Sequence, residues 1–119
     1  MAITLYHNPR CSKSRQALAL LEEHGVEVEV RRYLDDPLSE DELRDLMSRL
    51  DADGERLVRT QEPEWQELED TTNLQDQEQV IRAIVTHPKL MERPIADDGK
   101  RAVIGRPPED VLALVHAAD

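Results

Sequence analysis

The chain has 119 residues, of which 39% are hydrophobic and 34% charged, and its formal net charge is −11. This length suits one domain with a single modest core, and the acidic balance argues against nucleic-acid binding through a broad basic face. No apolar run reaches membrane-spanning length, and the opening MAITLYHN lacks the pattern of a signal peptide. The single cysteine cannot form an internal disulfide, which favours a soluble protein of the reducing cytoplasm.

The first third of the chain predicts a strand–helix–strand unit. Residues 2–6 are rich in β-forming side chains, and Pro9 follows them as a turn signal. Residues 12–24 have an apolar face, and Gly25 is placed to end a helix there. Valines alternate with charged residues over 26–30, which predicts a second strand with one buried face. Together these elements make a βαβ unit.

The middle of the chain, about residues 39–88, predicts a helical insert. Ser39 and Glu42 have the spacing of a capping box at the start of a helix. Residues 55–69 contain scattered apolar side chains and predict short helices. A longer amphipathic helix is predicted over residues 76–87.

The last third predicts two strands and a helix. The Asp98–Gly99 pair lies between two short β-forming segments and indicates a hairpin. Pro107 is a favoured first helical residue, and an apolar face follows it. The fold class is therefore α/β, with a βαβ half, a helical insert and a ββα half in one domain over residues 1–119.

The sole cysteine, Cys11, lies in YHNPRCSKSR (residues 6–15), between the first strand and the first helix. This segment contains three cations and no acid, and the first acid of the chain is Glu22. Unpaired N–H groups and the macrodipole at a helix start favour a thiolate and would also hold an oxyanion. His7 can donate one more hydrogen bond or can merely cap the turn.

An inert, buried packing residue is the alternative interpretation of Cys11, and its polar neighbours argue against that interpretation. Those neighbours include Asn8 and Ser14, which we predict to be substrate-binding residues. Two known cysteine motifs do not fit: a phosphatase site needs five residues between cysteine and arginine, and a dithiol motif needs cysteine at position 14. Any reductive cycle must therefore use thiols from outside the chain.

Three segments resemble the motifs of the glutaredoxin-linked arsenate reductase family: YHNPRCSKSR, HPKLMERPI (residues 87–95) and IGRPPEDVL (residues 104–112). They occur in the same order over nearly the whole chain, and the match is closest to the bacterial arsenate-reductase-like branch. The resemblance implies a thioredoxin-like fold, with a four-stranded mixed sheet and a helical insert. Ser-Lys-Ser follows Cys11 where the well-established reductases more often have Gly-Thr-Ser, which leaves the true substrate open.

The resemblance also implies roles for individual residues. Cys11 matches the nucleophile that attacks arsenic, and His7 matches a residue linked to the lowered pKa of that thiol. Pro94 matches the cis-proline that faces the active-site loop. The arginines matched to arsenate binding are Arg59, Arg93 and Arg106.

The positions of these arginines in the sequence give weaker, independent support for an anion-binding role. Arg93 precedes a proline at a strand start and Arg106 lies at a helix start, and active-site groups often lie at such breaks. A planar guanidinium can hold two oxygens of a tetrahedral anion. The alternative is that these arginines pair with acids such as Glu92.

The expected reaction is reduction of arsenate to arsenite in arsenic detoxification. The Cys11 thiolate attacks arsenate, glutathione adds to the intermediate and glutaredoxin completes the reduction. Glutathione acts as a co-substrate, and neither a bound cofactor nor a metal is expected. We expect neither a nucleic-acid nor a membrane partner.

Two other interpretations remain open. One is a thiol-redox enzyme of the same fold that acts on another oxyanion or on a disulfide. The other is a regulator that binds RNA polymerase, because the family includes such proteins, often with a Cys-x-x-Cys switch. Ser14 here replaces the second cysteine of that switch.

Overall fold

The computed structural model describes residues 2–50 and 52–117, and its centre is a four-stranded sheet with strand order β2-β1-β3-β4. The strands are β1 (Ala2–Tyr6), β2 (Glu27–Arg31), β3 (Ile95–Asp97) and β4 (Ala102–Ile104). β1 and β2 pair in parallel, whereas the β1–β3 and β3–β4 pairs are antiparallel. The predicted mixed sheet, with its βαβ and ββα halves, is confirmed.

Helices connect and cover these strands. They are α1 (Ser12–Glu23), α2 (Glu40–Arg49), α3 (Gly54–Leu57), α4 (Pro63–Leu68), α5 (Gln77–Thr86) and α6 (Leu112–Ala117). The predicted capping box is present at α2, where Ser39 Oγ accepts from the N–H of Glu42 and the Glu42 side chain accepts from the N–H of Ser39. Gly25, at φ +72°, follows α1 as predicted. Within the described ranges, no helix is long and apolar enough to cross a membrane.

The core forms two clusters, one on each face of the sheet. Successive side chains of a strand point to opposite faces, so Ile3 and Leu5 of β1 pack with Ala17, Leu21 and Leu114 from α1 and α6. The other face packs against α2–α5. The fully buried members of that second cluster are Leu43, Leu46, Leu57, Val80, Leu90, Met91, Ile95 and Ala102.

Two details of the prediction are wrong. Pro107 does not begin a helix: its backbone is extended (ψ 163°), and a 3₁₀ segment begins at the next residue and runs over Pro108–Val111. The reason is that a residue before proline is pushed out of the helical region. The valine face of β2 is also less buried than predicted, since Val30 is 41% exposed. β2 lies at a sheet edge, so it has only one neighbouring strand.

The strand register brings three loop segments to one end of the sheet. Tyr6, the last residue of β1, pairs with Ile95, the first of β3, and Ile95 also pairs with Ile104, the last of β4. The segment after β1, the segment before β3 and the segment after β4 therefore meet. They carry Cys11, Arg93 and Arg106 respectively, as the sequence motifs predict.

Candidate active site

The loop of residues 7–11 connects the carboxyl end of β1 to α1, and Cys11 is the N-cap residue of that helix. The Cys11 N–H donates to the carbonyl oxygen of Asn8 at 3.0 Å, and the Asn8 N–H donates to Oγ of Ser14 at 3.4 Å. Asn8 Oδ1 accepts from the N–H of Arg10 at 3.0 Å. The side-chain oxygens of Asn8 and Ser14 thus hold the loop, and their direct contact with a substrate stays a prediction.

The surroundings of Cys11 favour its thiolate. Burial by itself would raise the pKa of this thiol. The backbone N–H groups of Ser14 and Lys13, a hydrogen bond from the Arg93 side chain and the charge of Arg106 outweigh burial, so the pKa is lowered. The sulfur is only partly buried, so a ligand can still reach it. A lowered pKa increases the fraction of an accessible thiol that is present as the nucleophilic thiolate.

His7 lies in the same cleft but makes no hydrogen bond to the sulfur among the described residues. It is 5% exposed, and its Nδ1 is buried without a hydrogen-bond partner in the part of the chain that the structure describes. Burial, and then the charges of Arg32 and Arg15, lower the pKa of the imidazole, which keeps it neutral at neutral pH. Its predicted effect on the thiol therefore cannot come from a positive charge and stays a prediction about hydrogen bonding.

Arg93 and Arg106 both reach the cysteine. Nη2 of Arg106 lies 3.6 Å from Sγ of Cys11, and its Nε donates to the carbonyl oxygen of Arg93 at 2.8 Å. The peptide bonds Arg93–Pro94 and Arg106–Pro107 are both cis, the first as the resemblance implies. The N–H of Gly105 donates to the carbonyl oxygen of Pro94 at 2.8 Å. A Cβ at Gly105 would lie 2.9 Å from Pro94 Cγ, so this close packing requires glycine.

Arg59 joins the cluster from the helical insert. Its N–H donates to the carbonyl oxygen of Leu90 at 2.7 Å, next to a bridge between Val58 and Met91. Its guanidinium donates to Oε1 of Glu92 at 2.6 Å and to Oε1 of Glu62 at 3.2 Å. The structure thus places Arg59 beside the other two arginines through shared carboxylates, although it makes no contact with the sulfur in the described part of the chain.

Glu92 and Glu62 are functional candidates that the sequence analysis missed. Oε1 of Glu92 lies 2.6 Å from Arg59 Nη1 and 3.1 Å from Arg106 Nε. Oε1 of Glu62 lies 3.2 Å from Arg59 Nε and 3.9 Å from Nη1 of Arg93. The acid pairing predicted as the alternative for these arginines is therefore present, and their binding of a substrate stays a prediction. Glu92 could have been suspected from its place beside Arg93, but nothing in the sequence points to Glu62.

Cys11, His7, Asn8, Arg93 and Glu62 line a cleft of about 630 Å³. Three further cations line it, namely Arg10, Arg32 and Lys89. Positive charge that exceeds the nearby carboxylates attracts anions, and a guanidinium matches the oxygens of a tetrahedral oxyanion. In the described part of the chain, no group of three or more His, Cys, Asp or Glu side chains could hold a metal ion. The arrangement suits nucleophilic attack by sulfur on an oxyanion.

Residues 6–114 match the ArsC family. The chain belongs to the ArsC family. An arsenate reductase of Neisseria meningitidis is 44% identical over 115 residues, which cover 95% of this chain and 97% of that protein. The uncharacterized protein YfgD of Escherichia coli is 48% identical over 114 residues, with coverage of 95% and 96%.

Solved structures of the ArsC family have the same architecture. The arsenate reductase from Vibrio cholerae superimposes with a TM-score of 0.87 at 39% identity, covering 95% of this chain and 97% of that one. The thioredoxin-like fold is thereby confirmed. A more distant relative is the global transcriptional regulator Spx of Bacillus subtilis, at 32% identity over 87% of this chain and 79% of that protein.

Proposed function

We propose that this protein is an arsenate reductase that uses Cys11 as its nucleophile and takes its electrons from glutathione and glutaredoxin. One observation carries the proposal: Arg93, Arg106 and two backbone N–H groups converge on the only sulfur nucleophile of the chain. The arsenate reductases among its relatives support the choice of oxyanion. Arsenate is a tetrahedral anion of the kind that guanidinium groups bind.

In the proposed reaction, the Cys11 thiolate forms a sulfur–arsenic bond and one arsenate oxygen leaves as water. Glutathione then adds to arsenic, and a second external thiol takes part in the reduction. Overall, one arsenate and two external thiols give one arsenite, one disulfide and one water. Arsenic falls from +5 to +3, the external sulfurs are oxidised, and Cys11 returns to its free form after hydrolysis.

The arginines act by stabilising negative charge while the sulfur attacks. Arg106 already lies 3.6 Å from Sγ, so it can contact both the thiolate and an oxygen on the arsenic atom. Glu92 and Glu62 hold Arg59 and Arg106 in place, so little reorganisation is needed when the anion enters. No cysteine other than Cys11 is present to resolve an intermediate, which supports the use of external thiols.

The decisive test is arsenate-dependent NADPH consumption in an assay coupled through glutathione, glutaredoxin and glutathione reductase. The wild-type protein should show saturable turnover, and Cys11→Ser should show none, because serine is a far weaker nucleophile. Ser48→Ala, on the exposed side of α2, is the control and should retain full activity. Undiminished turnover by Cys11→Ser would refute the proposal.

The relation to Spx makes regulation through RNA polymerase the second candidate. The single cysteine argues against it, since an intramolecular redox switch needs two thiols. Retention of the protein on immobilised RNA polymerase, together with the absence of arsenate turnover, would favour the regulator.

A further inference from the structure

Tyr33 places an unused hydroxyl group next to the active-site arginines. The residue is 1% exposed and packs in the core cluster that contains α2–α5. Its neighbours along the chain, Arg32 and Leu34, both line that cleft. The charges of Arg93, Arg59 and Cys11 all act on its phenol group. The hydroxyl therefore lies at the inner end of the site.

Among the residues that the structure describes, none is in hydrogen-bonding geometry with this hydroxyl. The Arg93 side chain is near enough to lower the pKa of the phenol, but its own Nε is likewise buried without a hydrogen-bond partner in the described part of the chain. A buried polar group that is left unpaired costs about 1–3 kcal/mol, so folded proteins rarely retain one without a reason. Here two such groups lie together at the arginine cluster.

We infer that the Tyr33 hydroxyl and Nε of Arg93 form a pair of donors for one oxygen of the oxyanion that reacts at Cys11. The inference rests on the proposed function and adds a specific binding group to it. One acceptor oxygen between the two groups would satisfy both unpaired donors at once. A neutral O–H can donate without adding charge, so it would select an anion by its shape as well as by its charge.

The protonation state of Tyr33 is consistent with this role. Burial raises the pKa of the phenol to about 12, and this effect outweighs the opposing charges of Arg93 and Arg59. The group is therefore protonated at neutral pH and can act as a donor throughout the range in which the Cys11 thiolate reacts.

The test compares Tyr33→Phe with Tyr6→Phe, which removes the hydroxyl of the other tyrosine of the chain. Tyr6 is also buried. After burial, the groups that affect the pKa of its phenol are Asp97, Arg31 and Arg49, none of which lines the cleft. Oxyanion binding is measured without glutathione, as protection of Cys11 from iodoacetamide by arsenate and by inorganic phosphate. Steady-state turnover and thermal unfolding are measured on the same variants.

We expect Tyr33→Phe to weaken protection and to raise the KM for arsenate by about 10- to 100-fold, the range for a hydrogen bond to a charged group. The KM for glutathione should not change. Tyr6→Phe should stay within about threefold of wild type. The Tm of Tyr33→Phe should be unchanged or higher, because an unpaired buried hydroxyl has been removed.

Protection of Tyr33→Phe within about threefold of wild type would overturn the inference, as would a larger loss of Tm than in Tyr6→Phe. Failure of the proposed function gives a different result. In one outcome, the wild-type protein fails to reduce arsenate while phosphate still protects its Cys11 from iodoacetamide and no longer protects Cys11 in Tyr33→Phe. That result would support the donor pair and contradict arsenate as the substrate. If arsenate is reduced with equal KM by both proteins, only the donor pair falls.

Discussion

The two ends of β3 carry arginine–carboxylate clusters that differ in the ratio of arginines to acids. At the last residue of the strand, one arginine meets two acids: Arg49 donates to both oxygens of Asp97 at 2.6–3.2 Å and to Asp45 at 2.8 Å. Before the first residue, three arginines share Glu62 and Glu92, and Nε of Arg93 has no hydrogen-bond partner within the described ranges.

The difference shows how a structural arginine can be told from a functional one. Asp97 is 6% exposed and its pairing with Arg49 satisfies a buried carboxylate, so all three nitrogens of that guanidinium already donate to carboxylates of the chain. The cluster at the cleft has more guanidinium N–H donors than carboxylate acceptors, so the remaining donors can bind an anion. Both contain ion pairs of similar length, so distance alone does not distinguish them.

The largest expected effect is that of Arg106→Gln. Loss of the guanidinium next to Sγ should reduce kcat/KM for arsenate by about 100- to 1,000-fold, the range for removing one donor to a developing charge. It should also raise the pKa of Cys11, because the charge of Arg106 helps to lower it. The midpoint of the iodoacetamide rate against pH would then move to higher pH.

Arg101→Gln is the matched control, since Arg101 is exposed in the turn between β3 and β4. It should leave both turnover and the alkylation midpoint unchanged. Equal losses in the two variants would mean that general charge, rather than the position beside the sulfur, accounts for the effect.

The next effect is that of Asp97→Asn at the other end of β3. It leaves the partly buried Arg49 without its main counter-charge and should lower the free energy of unfolding by about 3 kcal/mol. Urea denaturation measures this change. Turnover at 25 °C should remain close to wild type. A loss of activity without a loss of stability would contradict the division between the two clusters.

The smallest effect is expected from Glu92→Gln. The amide oxygen can still accept hydrogen bonds from Arg59 or Arg106, so positioning is weakened rather than lost, and kcat/KM should fall by about tenfold. Removal of a negative charge near the sulfur should lower the pKa of Cys11 further. The alkylation midpoint should thus move in the opposite direction from that of Arg106→Gln, and a shift in the same direction would show that Glu92 acts only through packing.

The sequence predicts the elements whose signals are local. Alternation and turn residues indicate the sheet, and the short motifs around Cys11, Arg93 and Arg106 indicate the site, because each lies directly beside a strand end. Pro107 was assigned to the wrong position because Pro108, the following residue, determines its backbone conformation.

The parts that were missed depend on contacts between distant residues. Glu62 reaches the site through the bridge between Val58 and Met91, which joins segments 33 residues apart and leaves no periodic pattern. Arg59 reaches it in the same way, and only the family resemblance predicted its place. The lack of a partner for the Tyr33 hydroxyl is a property of packing, and no sequence pattern reports it.

Three loop segments meet where Tyr6, Ile95 and Ile104 pair across the sheet. This arrangement affects how the substrate range of such a protein can change in evolution. Backbone pairing holds Cys11, Arg93 and Arg106 together, whereas the helical excursion over residues 39–88 contributes, of its described residues, only Glu62 to the cleft lining. That excursion can therefore be rebuilt to admit larger or differently shaped anions while the sulfur and its two nearest guanidinium groups keep their places. Substrate range and reaction chemistry are, in this architecture, separable properties.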